Sequence, residues 1–166
     1  MAKMNLSDCV ALAEFAHRNQ FDKAGEPYIK HPKRVLASVQ AQGGQPYVQM
    51  AAVLHDVTED TPFTPQMLLD LGVPEAAVEI VKLVDRDHSA KWYNHTKAQY
   101  LDEFGKEWSR TQDEFYYFYI KQNPGAVQVK LADIGDNLQP WRLNYLPAET
   151  QVRLQDKYAK AIDLLT

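Results

Sequence analysis

Residues 46–60 read PYVQMAAVLHDVTED, and a helix over 46–59 has no polar face in its middle turns. Met50, Ala51, Ala52, Val53, Leu54 and Val57 point in every direction at 3.6 residues per turn, so other helices must enclose this one. Pro46 suits its first turn. Yet the same helix carries His55, Asp56, Glu59 and Asp60, and four ionisable groups buried without partners would cost several kcal/mol. His55 and Glu59 stack on one face, as do Asp56 and Asp60. Val48, Ala52, His55 and Glu59 share a stripe that enters the core at one end and a cavity at the other. A bound metal ion is the leading way to offset the cost. Imidazole beside carboxylate, with no thiolate, suits Mn, Fe, Mg or Zn.

The rest of the chain supplies the enclosing helices. Leu6, Cys9, Val10, Ala13 and Ala16 form one stripe over 5–20, with Asn5 or Ser7 as the cap. A loop with Gly25 and two prolines follows, then a helix from Pro32 to about Gln42, ended by Gly43-Gly44. Further helices are predicted at 64–71, 74–85, 95–104, 112–122, 126–138 and 147–165, with connections at 86–94 and 105–111. No segment shows strand alternation of useful length. The fold class is all-α, and residues 1–166 are expected to form a single domain, since no linker or repeat divides them.

Composition narrows the function. A net charge of -4 argues against a general nucleic-acid binder. Lys23, Lys30, Lys33 and Arg34 nevertheless lie within twelve residues, either as a solvated helix start or as a contact for a phosphorylated small molecule. Cys9 is the single cysteine, so there is neither a disulfide framework nor a thiolate zinc site. No apolar run reaches the ~20 residues of a membrane span, and the N-terminus lacks a signal-peptide core. A cytoplasmic location and no membrane partner are the expectations; a homo-oligomer is left open.

Two more polar intrusions stand in apolar surroundings. His31 precedes Pro32, which disfavours helix at His31 and puts it at a loop-to-helix junction. Asp133 lies among Val127, Val129, Leu131, Ala132 and Ile134, with Lys130 and Asn137 on the same helical face. Lys130 could neutralise Asp133 or meet substrate. Gly135 leaves room for a close approach to this face. His17 is read as structural, and His88 and His95 as solvated. The aromatic run 114–120 is read as core or subunit contact. Residues 85–95 form either an exposed loop or a lid carrying Lys91 and Trp92.

Three blocks, AHRNQFDKAGEPYIKHP, AAVLHDVTEDT and VKLADIGDN, resemble the signatures of the HD-domain phosphohydrolases. More narrowly they resemble the guanosine tetraphosphate (ppGpp) hydrolase domain of RelA/SpoT-type enzymes and their small stand-alone relatives. That family's blocks read approximately AHxxQxRKxGEPYIxHP, LLHDxxEDT and KLADRLHN, and the match covers about 16–61 and 127–138. The resemblance implies a helical fold with Mn(II) held by His31, His55, Asp56 and Asp133, and catalysis by Glu59 and Asp60. Lys23, Asn137 and Tyr158 align with substrate-contacting positions. In the family, attack falls on the 3′ phosphorus and pyrophosphate leaves. At this length the resemblance implies no synthetase or regulatory region.

Two departures bear on substrate. Asp22 stands where the family has the arginine expected to pack on guanine, and Ile134-Gly135-Asp136 replaces Arg-Leu-His. A guanidinium stacks on a purine face and a carboxylate does not. Hydrolysis of the ppGpp 3′-pyrophosphate is therefore the leading expectation. The alternatives are a phosphomonoesterase on another nucleotide, such as a nucleoside monophosphate or phosphorylated dinucleotide, and a non-catalytic nucleotide-binding module.

Overall fold

The apolar helix is central. In the computed structural model, which describes residues 2–166, α3 (Pro46–Leu54) packs on α1 (Leu6–Ala16), α2 (Lys30–Ala41), α6 (Glu75–Val84) and α9 (Pro124–Asn137). Ala51, Ala52, Val53 and Leu54 are wholly buried, as the absence of a polar face demands. The remaining helices are α4 (Val57–Asp60), α5 (Pro65–Asp70), α7 (Arg86–Phe104), α8 (Gln112–Lys121), α10 (Pro140–Leu143) and α11 (Ala148–Leu165). No strand occurs among the described residues; Phe21 and Pro27 make an isolated bridge. No described helix is long and apolar enough to cross a membrane.

Local chemistry sets the helix starts. Asn5 and Asp8 form a capping box on α1, and Thr111 and Glu114 form another on α8. Proline opens α3, α5 and α9, where the missing N–H is not needed. Gly125 lets α9 approach closely: a β-carbon there would stand 2.7 Å from Ile80 Cδ1 and 3.0 Å from Val48 Cγ2. That contact holds α9, and with it Asp133, against α3 and α6.

Several sequence expectations change. The helix predicted over 46–59 is two pieces, with His55 and Asp56 in a turn between α3 and α4. Asp60 N–H still donates to the Asp56 carbonyl at 2.9 Å, so the interruption is a local loosening rather than a reversal. α2 begins at Lys30, which places His31 inside its first turn. Pro32 is tolerated there because the first four N–H groups of a helix have no intrahelical acceptor.

Residues 86–94 are the start of a 19-residue helix, α7, not a connection. Asp85 caps it, its side chain accepting from the His88 N–H at 3.0 Å. Lys91 and Trp92 do not lie over the His–Asp group; they line a separate cavity of about 530 Å³ with His88 and His95. Nothing in the sequence pattern announced α10. The aromatic run does serve the core, with Phe115, Tyr116 and Tyr117 buried.

Candidate metal centre

His31, His55 and Asp133 come from three helices or their ends and gather with ligand atoms within 4.8 Å of one another. Asp56 joins them. His31 Nε2 lies 3.0 Å from Asp133 Oδ1 and 3.5 Å from Asp56 Oδ2; His55 Nε2 lies 3.1 Å from Asp56 Oδ2 and 3.5 Å from Asp133 Oδ1. Neighbouring donors around a divalent ion with ~2.1 Å bonds stand ~3 Å apart. These four adjacent separations are those of neighbouring donors in a coordination shell, and mutual proximity within 4.8 Å is met by His31, His55 and Asp133. His55 Nε2 is buried without a hydrogen-bond partner, while its Nδ1 lies 2.7 Å from the Ala52 carbonyl. A carbonyl only accepts, so the Nδ1 proton is fixed and Nε2 is the nitrogen that can meet a cation once it has shed its own proton. The donor set fits a divalent cation.

The electrostatics agree. Burial opposes charge on both imidazoles. For His55, the Asp56 and Asp133 carboxylates more than offset it and hold the ring well above its ordinary value. His31 is raised by Asp133 and Asp136. Burial likewise works against Asp56, but His55 brings its carboxyl down to about 2. Asp133 is held well below the usual range by Lys130 and the two imidazoles, which overcome its burial.

Each of the four gathered side chains is also held by a neighbour. Tyr28 donates its hydroxyl to Asp56 Oδ2 at 2.7 Å. Lys130 donates to Asp133 Oδ2 at 3.0 Å, and Asn137 to Asp133 Oδ1 at 3.2 Å. His31 Nδ1 lies 2.6 Å from Asp136 Oδ2, and Asp136 also accepts from Arg34 and Arg142. Lys130 is thus both the ion-pair partner of Asp133 and a wall of the pocket.

Glu59 and Asp60 sit one turn beyond Asp56. Burial, and then the Asp56 charge, push Glu59 up to about 7; the Arg86 backbone N–H, donating to Oε2 at 3.3 Å, pulls the other way. Asp60 is pushed up to about 6 by burial and Asp56. Glu59 lines the inner cavity, about 180 Å³, with the four gathered residues. Asp60 is not among that cavity's lining side chains; its carbonyl accepts from Gln20 at 3.0 Å.

An outer cavity of about 380 Å³ adjoins the first through Tyr28, Asn137 and Tyr158. Lys23 and Arg142 line it beside Phe21, Leu146 and Leu154. The three aligned substrate positions, Lys23, Asn137 and Tyr158, and the further candidate Lys130 each line one or both cavities. Asn137 and Tyr158 also meet, Nδ2 to hydroxyl at 3.4 Å.

The basic cluster mostly spends its charge internally. Lys30 pairs with Glu26, Lys33 with Glu14 at 2.6 Å, and Arg34 with Asp136. Lys23 has no carboxylate partner among the described residues. Gly135 has nothing within 4 Å of where a β-carbon would stand, so no close approach depends on it. His17 is buried and bonded to Gln20 at 2.8 Å, a structural role as expected.

The residues missed by sequence reasoning are Tyr28, Arg86, Arg142 and Lys157, which reach the two cavities. Tyr28 lay within a quoted block. The others carry no local signal, because their positions depend on helix packing.

No protein-family model matches the chain. It is 39% identical over 128 residues to the guanosine-3′,5′-bis(diphosphate) 3′-pyrophosphohydrolase of Haemophilus influenzae, covering 77% of this chain and 17% of that protein. It is 38% identical over 134 residues to the bifunctional (p)ppGpp synthase/hydrolase SpoT of Escherichia coli K12, covering 81% and 18%. A GTP pyrophosphokinase of Streptomyces coelicolor is 44% identical over 141 residues, covering 84% and 15%. The chain spans less than a fifth of the length of these curated relatives. The solved structure of a metazoan SpoT orthologue matches 99% of this chain and 85% of its own, with a TM-score of 0.69 and 23% identity, a likeness of fold. Over about four fifths of its length the chain is similar in sequence to the RelA/SpoT-type (p)ppGpp hydrolases, and over nearly all of it the fold is that of the metazoan SpoT orthologue.

Proposed function

We propose that this protein is a Mn(II)-dependent phosphohydrolase that removes the 3′-pyrophosphate of (p)ppGpp. The observation that carries the proposal is the ring of four donor atoms, 3.0 to 3.5 Å apart, opening on a cavity walled by Glu59. The curated relatives named as (p)ppGpp hydrolases, and a metazoan SpoT orthologue that hydrolyses ppGpp, support the substrate.

His31, His55, Asp56 and Asp133 would hold the ion. When bound, a divalent metal acidifies water and polarises a phosphate oxygen. Glu59 is the general base of the proposal: with its carboxyl raised to about 7, it can take a proton near neutrality and release it again. Asp60 shapes the field on Glu59 and anchors the α1–α2 loop through Gln20. Arg86 and Lys157 line the inner cavity, where phosphate oxygens would meet their cations. Lys130 stays with Asp133 and keeps that carboxylate ionised. The nucleoside occupies the outer cavity, with Asn137 and Tyr158 at the junction and Lys23 and Arg142 facing its remaining phosphates. Water adds to the 3′ phosphorus, the bond from that phosphorus to the ribose 3′-oxygen breaks to free pyrophosphate, and the proton Glu59 takes from the water is returned to the departing 3′-oxygen.

One observation favours a second substrate within the same chemistry. Asp22 Oδ1 accepts from the N–H groups of Ala24 and Glu26, both at 2.9 Å, so the residue facing the outer cavity at the expected arginine position is a turn-forming carboxylate. A nucleotide monoester is the alternative. Purified protein with Mn(II) and ppGpp is expected to release pyrophosphate. Orthophosphate from other nucleotides, with ppGpp untouched, would establish the alternative. No release from any nucleotide, with nucleotide still raising the Tm, would leave a binding module.

A further inference from the structure

The metal site depends on which nitrogen of His31 carries its proton. Only an unprotonated Nε2 can bind a cation, so Nδ1 must be the N–H. Two groups compete for Nδ1. Asp136 Oδ2, an acceptor, lies at 2.6 Å; Arg142 Nη1, which can only donate, lies at 2.9 Å. The two competitors also bond each other, Arg142 Nη1 donating to Asp136 Oδ2 at 2.6 Å and its second proton to Asn137 Oδ1 at 3.0 Å, so Arg142 has a proton to offer Nδ1 only where Asp136 is lost. A histidine facing Arg142 alone would turn Nδ1 into an acceptor and move its proton to Nε2, into the metal position.

We propose that Asp136 is a positioning residue that selects the metal-binding tautomer of His31 against Arg142. Its geometry suits that task. The carboxylate is 7% exposed, and Arg34 fixes it by donating from Nε to Oδ1 at 2.7 Å and from Nη2 to Oδ2 at 3.1 Å. With Arg34 and Arg142 both satisfied on the carboxylate, Oδ2 stays in line with Nδ1. A carboxylate behind a ligating histidine fixes its ring and strengthens its hold on metal.

The proposal rests on the metal-binding reading above, and two measurements separate their failures. In the metal-free full chain labelled with ¹⁵N-histidine, at alkaline pH, His31 is expected to be the Nδ1–H tautomer in the wild type and the Nε2–H tautomer in Asp136→Ala. This outcome needs no metal. Calorimetric titration with Mn(II) should then show Asp136→Ala binding about 10- to 100-fold more weakly than wild type. Arg142→Met alone should bind within threefold of wild type. The double variant Asp136→Ala/Arg142→Met, relieved of the competing donor, should recover most of the loss. A merely structural Asp136 would give a double variant no better than Asp136→Ala, and that result overturns the proposal. So would an unchanged tautomer. If Asp136→Ala does not fold, Asp136→Leu keeps the volume and removes the acceptor; undiminished Mn(II) affinity in that variant overturns the proposal equally. A wild type with the Nδ1–H tautomer and no Mn(II) binding would instead sink the metal reading.

Discussion

Tyr28 and Asp56 meet hydroxyl to carboxylate at 2.7 Å, joining the loop before α2 to the turn after α3. Burial, and then the Asp56 charge, push the Tyr28 hydroxyl far up, so it remains a donor throughout the working range. Loss of the donor frees Asp56 to turn. Tyr28→Phe is expected to weaken Mn(II) binding by about 10-fold, the low end for partners of metal ligands, with little change in Tm. Calorimetric titration checks it.

Glu59→Gln separates chemistry from metal binding. The variant should bind Mn(II) within threefold of wild type and lose about 10²-fold in kcat. It should also be more stable at pH 8. The folded carboxyl titrates at about 7 against an ordinary 4.5, so the folded protein holds this proton more tightly and stability falls as pH rises between those values. After allowance for partial exposure, the metal-free variant gains about 1 kcal/mol at pH 8, readable by urea denaturation.

With Glu59 as the proposed base, the same carboxyl is expected to give the rate an acid limb. A base must be ionised, so kcat/KM is expected to fall as pH drops below the Glu59 titration. The charge of a bound cation lowers that value, which places the midpoint between 4.5 and about 7. A pH–rate profile without this limb would remove Glu59 as the base.

Metal binding should release protons. His31 and His55 are raised in the metal-free protein, and a ligating imidazole must be neutral. Affinity for Mn(II) therefore falls as pH falls. Calorimetry in buffers of different ionisation enthalpy is expected to show net proton release.

Asp22 offers a test of the outer cavity. Its Oδ1 closes the turn that presents Lys23, so Asp22→Ala should cost about 1 kcal/mol in stability and raise KM several-fold. Asp22→Arg supplies a stacking group but breaks the same turn. An undiminished Tm in Asp22→Ala would show that the turn does not depend on the carboxylate.

The residues that gather at the centre were legible because burying them is costly: His55, Asp56 and Asp133 stand out in apolar sequence. The helices of the core were legible for the same reason, through their apolar periodicity. α7 was not. From Arg86 to His95 the helix buries only Ser89 and Tyr93 among the described residues, so its start leaves almost no apolar stripe to detect. The interruption at His55–Asp56 was hidden too, since both residues keep near-helical dihedrals and the apolar pattern runs across it. Asp136 read as a departure from a motif; its meaning lies in His31, 105 positions away, and in two arginines on other helices.

Asp133 divides its two oxygens between unlike neighbours. Lys130 engages Oδ2, while Oδ1 faces both imidazoles. A carboxylate so tethered can lend a cation one oxygen and not two, which handicaps large ions that want bidentate grips and many contacts, calcium above all. A smaller guest would be left with vacant corners, and vacant corners are where water and a phosphate can enter together.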